Sequence, residues 1–444
     1  MNVAVMKTKA EQALTEAFES VAAKLPGSAE VKKRRAQAIG TFGSLGLPHR
    51  RIEEWKYTDL RANFKEALPP AVQDESPLTI AELIVALGPL AHVDAHRVAF
   101  VNGYHRPELD DVSDAAGLEV AALGRALASA PASDIDSLTK VEGSGAVVAL
   151  NAAFMTDGAI VHVADKAVVE KPLLVVFVRA GGERQSVAVR NVISVGPGAT
   201  ATIIEAHVVL PGATKDAQSN ALSEVTVGDG ATLNHVKVAV DEGHCFHLSN
   251  WDVSLDADAN YRGFQFSSGL GLARNEVNVL YRGEGGKLDL SGAYLVRGHE
   301  HVDTTLVVDH AVPHCDSREL FKGVLDGHGR GVFQGKVIVR PDAQKTDGKQ
   351  MSQALMLSED AEFDSKPELE IFADDVVCGH GTTSAELDPD LLFYCRSRGI
   401  PESEARALMI ESFIGEAIDK VENTELHAAL MALATNWLAG PVRG

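Results

Sequence analysis

Cysteine is scarce in this chain of 444 residues, which has four: Cys245, Cys315, Cys378 and Cys395. They are too few and too scattered for a disulfide framework. No two form a Cys-x-x-Cys pair, which argues against a closed cysteine zinc site. No run of about eighteen apolar residues occurs, so no membrane-spanning helix is expected. The first twenty residues are charged and amphipathic and lack the apolar core of a secretory leader. The expectation is a cytoplasmic protein with reduced thiols. The sequence has no Gly-x-x-x-x-Gly-Lys-Ser/Thr, which excludes a P-loop nucleotide site, and no Gly-x-Ser-x-Gly nucleophile elbow. Positive charge is also in short supply. Lys and Arg number 41 against 62 Asp and Glu, for a net charge of −21. Nucleic acid and anionic membranes would repel such a surface.

What is present divides into three. Ala10, Leu14, Ala17, Val21 and Leu25 recur at helical spacing until Pro26-Gly27, and a second helical pattern spans about 30–42. Arg51-Ile-Glu-Glu-Trp-Lys-Tyr-Thr-Asp-Leu60 is dense in charge and aromatic groups, and residues 61–140 are mixed. From about Gly143 the helix period is expected to give way to strands. Ala159-Ile-Val-His-Val163, Leu173-Leu-Val-Val-Phe-Val178, Val192-Ile-Ser-Val195 and Ala201-Thr-Ile-Ile204 are β-rich runs between Gly and Asp turns. Past Leu387 helices return: Asp388 caps, Pro389 opens and Gly399-Ile-Pro401 closes the first, and two more cover 404–421 and 426–438. The expected domains are 1–140, helical and mixed, 141–386, β, and 387–444, helical.

The β-region repeats. Val195-Gly-Pro-Gly-Ala-Thr-Ala-Thr202 matches Val227-Gly-Asp-Gly-Ala-Thr-Leu-Asn234. Weaker turns begin at Val163, Leu255, Arg282, Leu325 and Leu357, mostly about 27–32 residues apart with one gap of about 43. A fixed period of that size implies stacked coils that cannot bury their apolar faces singly. No helix intervenes between strands, so a β-helix is favoured over an irregular β-sandwich.

Two constellations could carry chemistry. Gly298-His-Glu-His301 places His299 and His301 at i and i+2, hence on one face of a strand, with Asp303, His310, His314 and Cys315 following. Such a set would suit iron or zinc, or be hydrogen-bonded packing. A cupin would carry a Glu near Thr305-Leu306, where none stands. The group His244-Cys245-Phe246-His247 reads as a turn between strands. The second constellation is Cys378-Gly379-His380-Gly381, behind Asp374-Asp375. One strand can present Cys378 and His380 to the same side, and the glycines admit a close approach. Two ligands leave a site incomplete, which points to a subunit interface. A buried Cys beside a capping His satisfies the same spacing.

The residues then add up to a resemblance. Gly298-His-Glu-His-Val-Asp303, Phe321-Lys-Gly-Val-Leu-Asp326, Val332-Phe-Gln-Gly-Lys336, Ala343-Gln-Lys-Thr346, Pro367-Glu-Leu-Glu-Ile371, Ala373-Asp-Asp-Val376, Cys378-Gly-His-Gly-Thr382 and Leu392-Phe-Tyr-Cys-Arg-Ser-Arg-Gly-Ile400 resemble the SufB/SufD family of iron–sulfur cluster assembly scaffolds. Arg51-Ile-Glu-Glu-Trp-Lys-Tyr57 looks like the N-terminal signature of its SufD branch. SufB has Glu-His-Glu where this chain has Gly379-His380-Gly381. SufB also has a sulfur-accepting cysteine where ungapped matching places Ser352. Both differences favour the SufD side.

The resemblance implies a right-handed parallel β-helix that pairs with SufB, and a C-terminal helical domain that docks the ATPase SufC. Asp388, Tyr394, Arg396 and Arg398 are the docking candidates. ATP binding by SufC would rearrange the SufB–SufD interface. It also implies a non-catalytic scaffold in which His380 foremost, with Cys378, shares a transient iron–sulfur cluster or iron with SufB. No cofactor is expected to be tightly held by the isolated chain, whose open β-edge would admit a homodimer. Two enzyme alternatives compete. One is a metal-dependent β-solenoid using His299, His301 and His310. The other is a secreted polysaccharide-acting β-helix, disfavoured by the 5% aromatic content.

Overall fold

The computed structural model describes residues 7–73, 76–112, 115–129, 145–241 and 244–440. Successive strands from Ala159 to Ala385 alternate between a nine-stranded and a ten-stranded sheet, so each pairs with the strand two places on. All those pairings are parallel. Phe246 sits beside Leu272, 26 positions on, and Arg330 beside Glu362, 32 positions on. The result is a two-sheet β-solenoid of about eight turns, as the repeat demanded.

Its interior follows from strand alternation. Every second residue points between the sheets, and Val175, Ile203, Leu233, Trp251, Tyr261, Leu290, Leu306, Phe321 and Phe333 form one continuous buried core. Along one edge the coils turn through left-handed residues: Lys166, Gly198, Gly230, Asp258, Gly285, His314 and Lys345 all have positive φ. Backbone amides there climb from coil to coil, as in Gly198 to Asp229, Gly230 to Ala257 and Lys345 to Asp375. This ladder explains the 43-residue gap. The turns at Leu325 and Leu357 belong to the opposite edge, and the missing corner is at His314, where no glycine marks it.

The ends differ. At the first, Leu118–Ala122 and Tyr104–His105 run antiparallel to their neighbours and close the sheets. At the last, Glu362–Ile371 and Val377–Ala385 are each paired on one side only. Two helical units flank the solenoid. Helices Lys9–Val21 and Ala29–Leu45 share a core with Leu248 and Leu272 of the nine-stranded sheet. The hairpin Glu402–Ile418 and Thr424–Ala439 buries Ile410, Ile414, Ile418, Leu426 and Leu430 against Ile204, Val236, Phe264 and Val324 on the outer face of the ten-stranded sheet. Helix Pro389–Ser397 buries no residue, and the Asp388 side chain caps it as expected.

One expectation is corrected. Residues Ala146–Phe154 form a helix, almost wholly buried, rather than the start of the strands. The run Ala-Val-Val-Ala-Leu-Asn-Ala-Ala-Phe is apolar on all sides, so it carries no periodicity to distinguish a buried helix from a strand. Gly143 and the boundary at 140/141 lie outside the described residues. No helix among the described residues is long and apolar enough to cross a membrane.

Candidate functional site

The open end of the solenoid is where the second constellation falls. Cys378 and His380 lie on the terminal strand Val377–Ala385, whose free edge has no partner strand. Cys378 packs partly into the interior core, and alternation puts His380 on the same inner face. Its ring is exposed while the thiol is half-buried. Desolvation pushes the Cys378 thiol up, with the Asp347 and Glu319 carboxylates adding to the rise. In register beneath them stand Gly348 and Gln350, then Ser317 and Glu319. The apolar core has turned polar here. Gln350 and Ser352 are buried, and neither the Gln350 amide nor the Ser352 hydroxyl has a hydrogen-bond partner. Ser352, the position matched to SufB's cysteine, therefore faces the interior two strand positions from the His380 level.

Gly379 and Gly381 point outward. A Cβ at 379 would meet nothing within 4 Å, whereas one at 381 would meet the Met351 methyl at 2.8 Å. Several apolar side chains are exposed near this edge, among polar ones: Phe372 is 63% and Val377 61% exposed, with Ile371 and Met351 also open to solvent. An unpaired strand edge with exposed apolar side chains is a template for pairing with another polypeptide.

Glu319 supplies a pH signature. It is 2% exposed, and neither carboxylate oxygen has a partner at hydrogen-bond geometry. Burial pushes its carboxyl up to about 8 from the ordinary 4.5, although the nearby Ser317 hydroxyl opposes the shift. Between those values the folded chain holds a proton that the unfolded chain has released. Stability should therefore fall as pH rises through that window and level off above about 8. Urea midpoints from pH 5 to 9 should show the decline, and Glu319→Gln should flatten that part of it.

The first constellation separates. His299 is in a turn, not on a strand face, and its ring stacks on His328 at 4.9 Å. His301 opens the strand His301–His310 on the outer side. Its Nε2 is 2.9 Å from the Thr58 hydroxyl, and burial lowers its pKa to about 4. His310 closes that strand about 30 Å away, nine residues at strand rise. It faces inward, stacked on Tyr281 and bonded to Ser317. These three histidines cannot share an ion. Among the described residues no group of three or more His, Cys, Asp or Glu is arranged to hold a metal. Of the four residues His244–His247 expected to form a turn, only His244 and Cys245 lie outside a strand. The strand beginning at Phe246 then carries His247 into the interior.

His301 instead belongs to a clasp that spacing alone did not reveal. Trp55 stacks on the Arg274 guanidinium at 3.9 Å, and Arg274 donates to Asp303 at 2.5 Å and to the Glu54 carbonyl at 2.9 Å. The Thr58 hydroxyl also donates to Asp303, and Lys366 holds Glu53 at 2.5 Å. The Arg51–Leu60 segment thus seals the outer face of the nine-stranded sheet, which accounts for its mix of charge and aromatics.

The docking candidates serve partly at home. Arg396 pairs with Glu402 at 3.4 Å, and Arg398 lies over the Tyr394 ring at 4.9 Å. Leu391 and Phe393, which the sequence did not single out, are exposed with Tyr394, Phe393 at 71%.

Fold and site together define a β-solenoid scaffold with one closed end, one open end bearing a thiol and an imidazole, and a helical appendage. The comparisons give that class its family. Residues 177–413 match the family described as "SUF system FeS cluster assembly, SufBD core domain", and residues 8–175 match "SufBD protein N-terminal region". The chain is 30% identical over 425 residues to the iron-sulfur cluster assembly protein SufD of Escherichia coli, covering 94% of this chain and 96% of that one. An iron-sulfur cluster assembly SufBD family protein of Synechocystis is 30% identical, with 89% of each chain covered. SufD of Bacillus subtilis is 29% identical over 62% of this chain and 63% of its own. The chain belongs to the SufBD family of iron–sulfur cluster assembly proteins, and its likeness to SufD runs nearly end to end.

Proposed function

We propose that this chain is the SufD half of an assembly scaffold and performs no catalysis of its own. The observation that carries the reading is the open solenoid end, where Cys378 and His380 lie on a free strand edge flanked by exposed Val377 and Phe372. A SufB-like partner would cover that edge and supply the remaining ligands to a nascent cluster or iron atom, which is cargo rather than a resident cofactor. Imidazole and thiolate suit iron in such a shared site. In isolation the same end is open to a second copy of this chain.

The helical region 387–444 would dock a SufC-like ATPase through Leu391, Phe393 and Tyr394, with Asp388, Arg396 and Arg398 shaping that helix. Exposed aromatics on an otherwise polar surface are the usual anchors of an interface. Deleting 388–444 is too blunt a test, because the hairpin shares a core with the ten-stranded sheet. Phe393→Asp leaves that core intact. Co-expressed with SufB- and SufC-like subunits, the wild-type chain should purify with both. The variant should keep the SufB-like subunit and lose about 2 kcal/mol of ATPase binding, roughly thirtyfold in affinity. If neither subunit co-purifies with the wild type, the reading is wrong.

A further inference from the structure

Beside the clasp that seats Trp55, a groove crosses the outer face of the nine-stranded sheet over strands Ala217–Val227, Phe246–Leu255 and Leu272–Tyr281. Trp251 points into the core, so by alternation Asn250 and Asp252 point outward onto the groove floor. In register, Glu276 stands beside Asn250 and Glu224 beside Asp252. Neighbouring strands are about 4.8 Å apart and alternate residues roughly 6–7 Å, so the floor is a grid of oxygen acceptors at regular intervals. Glu54 and Asp309 line the groove as well.

Arginines answer part of this charge. Arg190 pairs with Glu224, Arg274 with Glu276 at 3.2 Å and Arg340 with Asp309 at 2.6 Å. Among the described residues Asp252 has no cationic partner and accepts from the Asn278 amide at 2.9 Å. Asn250 adds an independent demand. It is 5% exposed, and its Oδ1 has no hydrogen-bond partner. A buried carbonyl oxygen without a donor is costly, so the floor calls for a ligand that brings N–H groups. A single metal ion does not answer that call. Carboxylates spread along a sheet face do not converge, and among the described residues no such group is arranged to hold a metal. The flanks are apolar: Leu45, 55% exposed, and Ile52, 37% exposed, line the groove with Trp55. A peptide would find no free strand edge to join, because all three floor strands are paired on both sides. Spaced acceptors between apolar flanks suit a flexible ligand whose positive nitrogens alternate with methylene runs.

We propose that this groove binds a linear aliphatic polyamine, one ammonium donating to Asn250 Oδ1 and another lying against Asp252, with the methylenes on Leu45 and Ile52. The site is separate from the open end of the solenoid, and nothing in it depends on the cluster reading.

Spermidine is titrated calorimetrically into the full chain in about 0.15 M salt, where a Debye length of about 8 Å screens diffuse attraction to a net charge of −21. Saturable one-to-one binding is expected. Asn250→Leu changes no charge and should weaken it about tenfold, the size of one lost hydrogen bond to a charged group. Asp252→Asn retains an acceptor for Asn278, should weaken binding to a similar degree, and carries the test if Asn250→Leu fails to fold. Glu359→Gln with Asp360→Asn removes charge from an exposed turn outside the groove and should change affinity less than about twofold. Absence of saturable binding overturns the proposal, as does unchanged affinity in the groove variants. Equal weakening by the turn variant also overturns it, because that is the mark of diffuse attraction. Binding of an oligolysine peptide without binding of spermidine overturns it too, and would assign the groove to a protein partner.

Discussion

Replacing His380 with alanine in the co-expressed complex is expected to lower iron and acid-labile sulfide content at least about tenfold after anaerobic purification, with the complex still assembled. Perturbing even the outer support of a metal ligand commonly costs 10–100-fold in affinity, and removing a ligand costs no less. The geometry supports a selective effect. The imidazole is exposed on a terminal strand, so its loss opens no cavity and orphans no buried partner. Cys378→Ala should differ in kind. That thiol packs into the interior core beside the polar lining of the last coils, so its removal combines any ligand loss with a small packing defect. Unchanged cluster content in His380→Ala, with stoichiometric subunits, would remove His380 from the site.

The largest stability effect is expected from Arg274→Ala. Its guanidinium is fully buried between Trp55, Asp303 and the Glu54 carbonyl. Removing it leaves the Asp303 carboxylate, 0% exposed, without its cation. Breaking a buried pair from one side costs about 3–5 kcal/mol. A shift of the urea midpoint of that size should come with faster proteolysis within residues 46–64, because the clasp that seats Trp55 is gone. The double variant Arg274→Met with Asp303→Leu should recover part of the loss, since paired apolar replacement leaves no orphaned charge. A single variant as stable as wild type would show that the clasp is ornamental.

Different parts of this molecule were legible to different degrees. The solenoid was readable because a stacked coil repeats its requirements. The paired Val-Gly-Pro-Gly-Ala-Thr and Val-Gly-Asp-Gly-Ala-Thr segments mark corners at which a left-handed residue is needed. The same logic hid the corner at His314, where a non-glycine residue accepts that conformation. The capped helix at Asp388-Pro389 was readable from local chemistry alone. Helix Ala146–Phe154 was not, because burial on every side erases periodicity.

The sequence by itself determined that the β-region is a stack of coils, that its last strand carries Cys378 and His380 on one face, and that the segments match the SufBD family. Those follow from alternation, repeat length and residue identity, which are local properties. Tertiary structure decided which groups meet. It scattered His299, His301 and His310 to a corner, an outer face and an interior, because a strand of ten residues is longer than any metal site is wide. It brought Trp55 to Arg274 across more than two hundred residues, and it left Val377–Ala385 at a free edge. Spacing along a chain fixes the face on which a side chain lies. Only the stacking of coils fixes what stands opposite it.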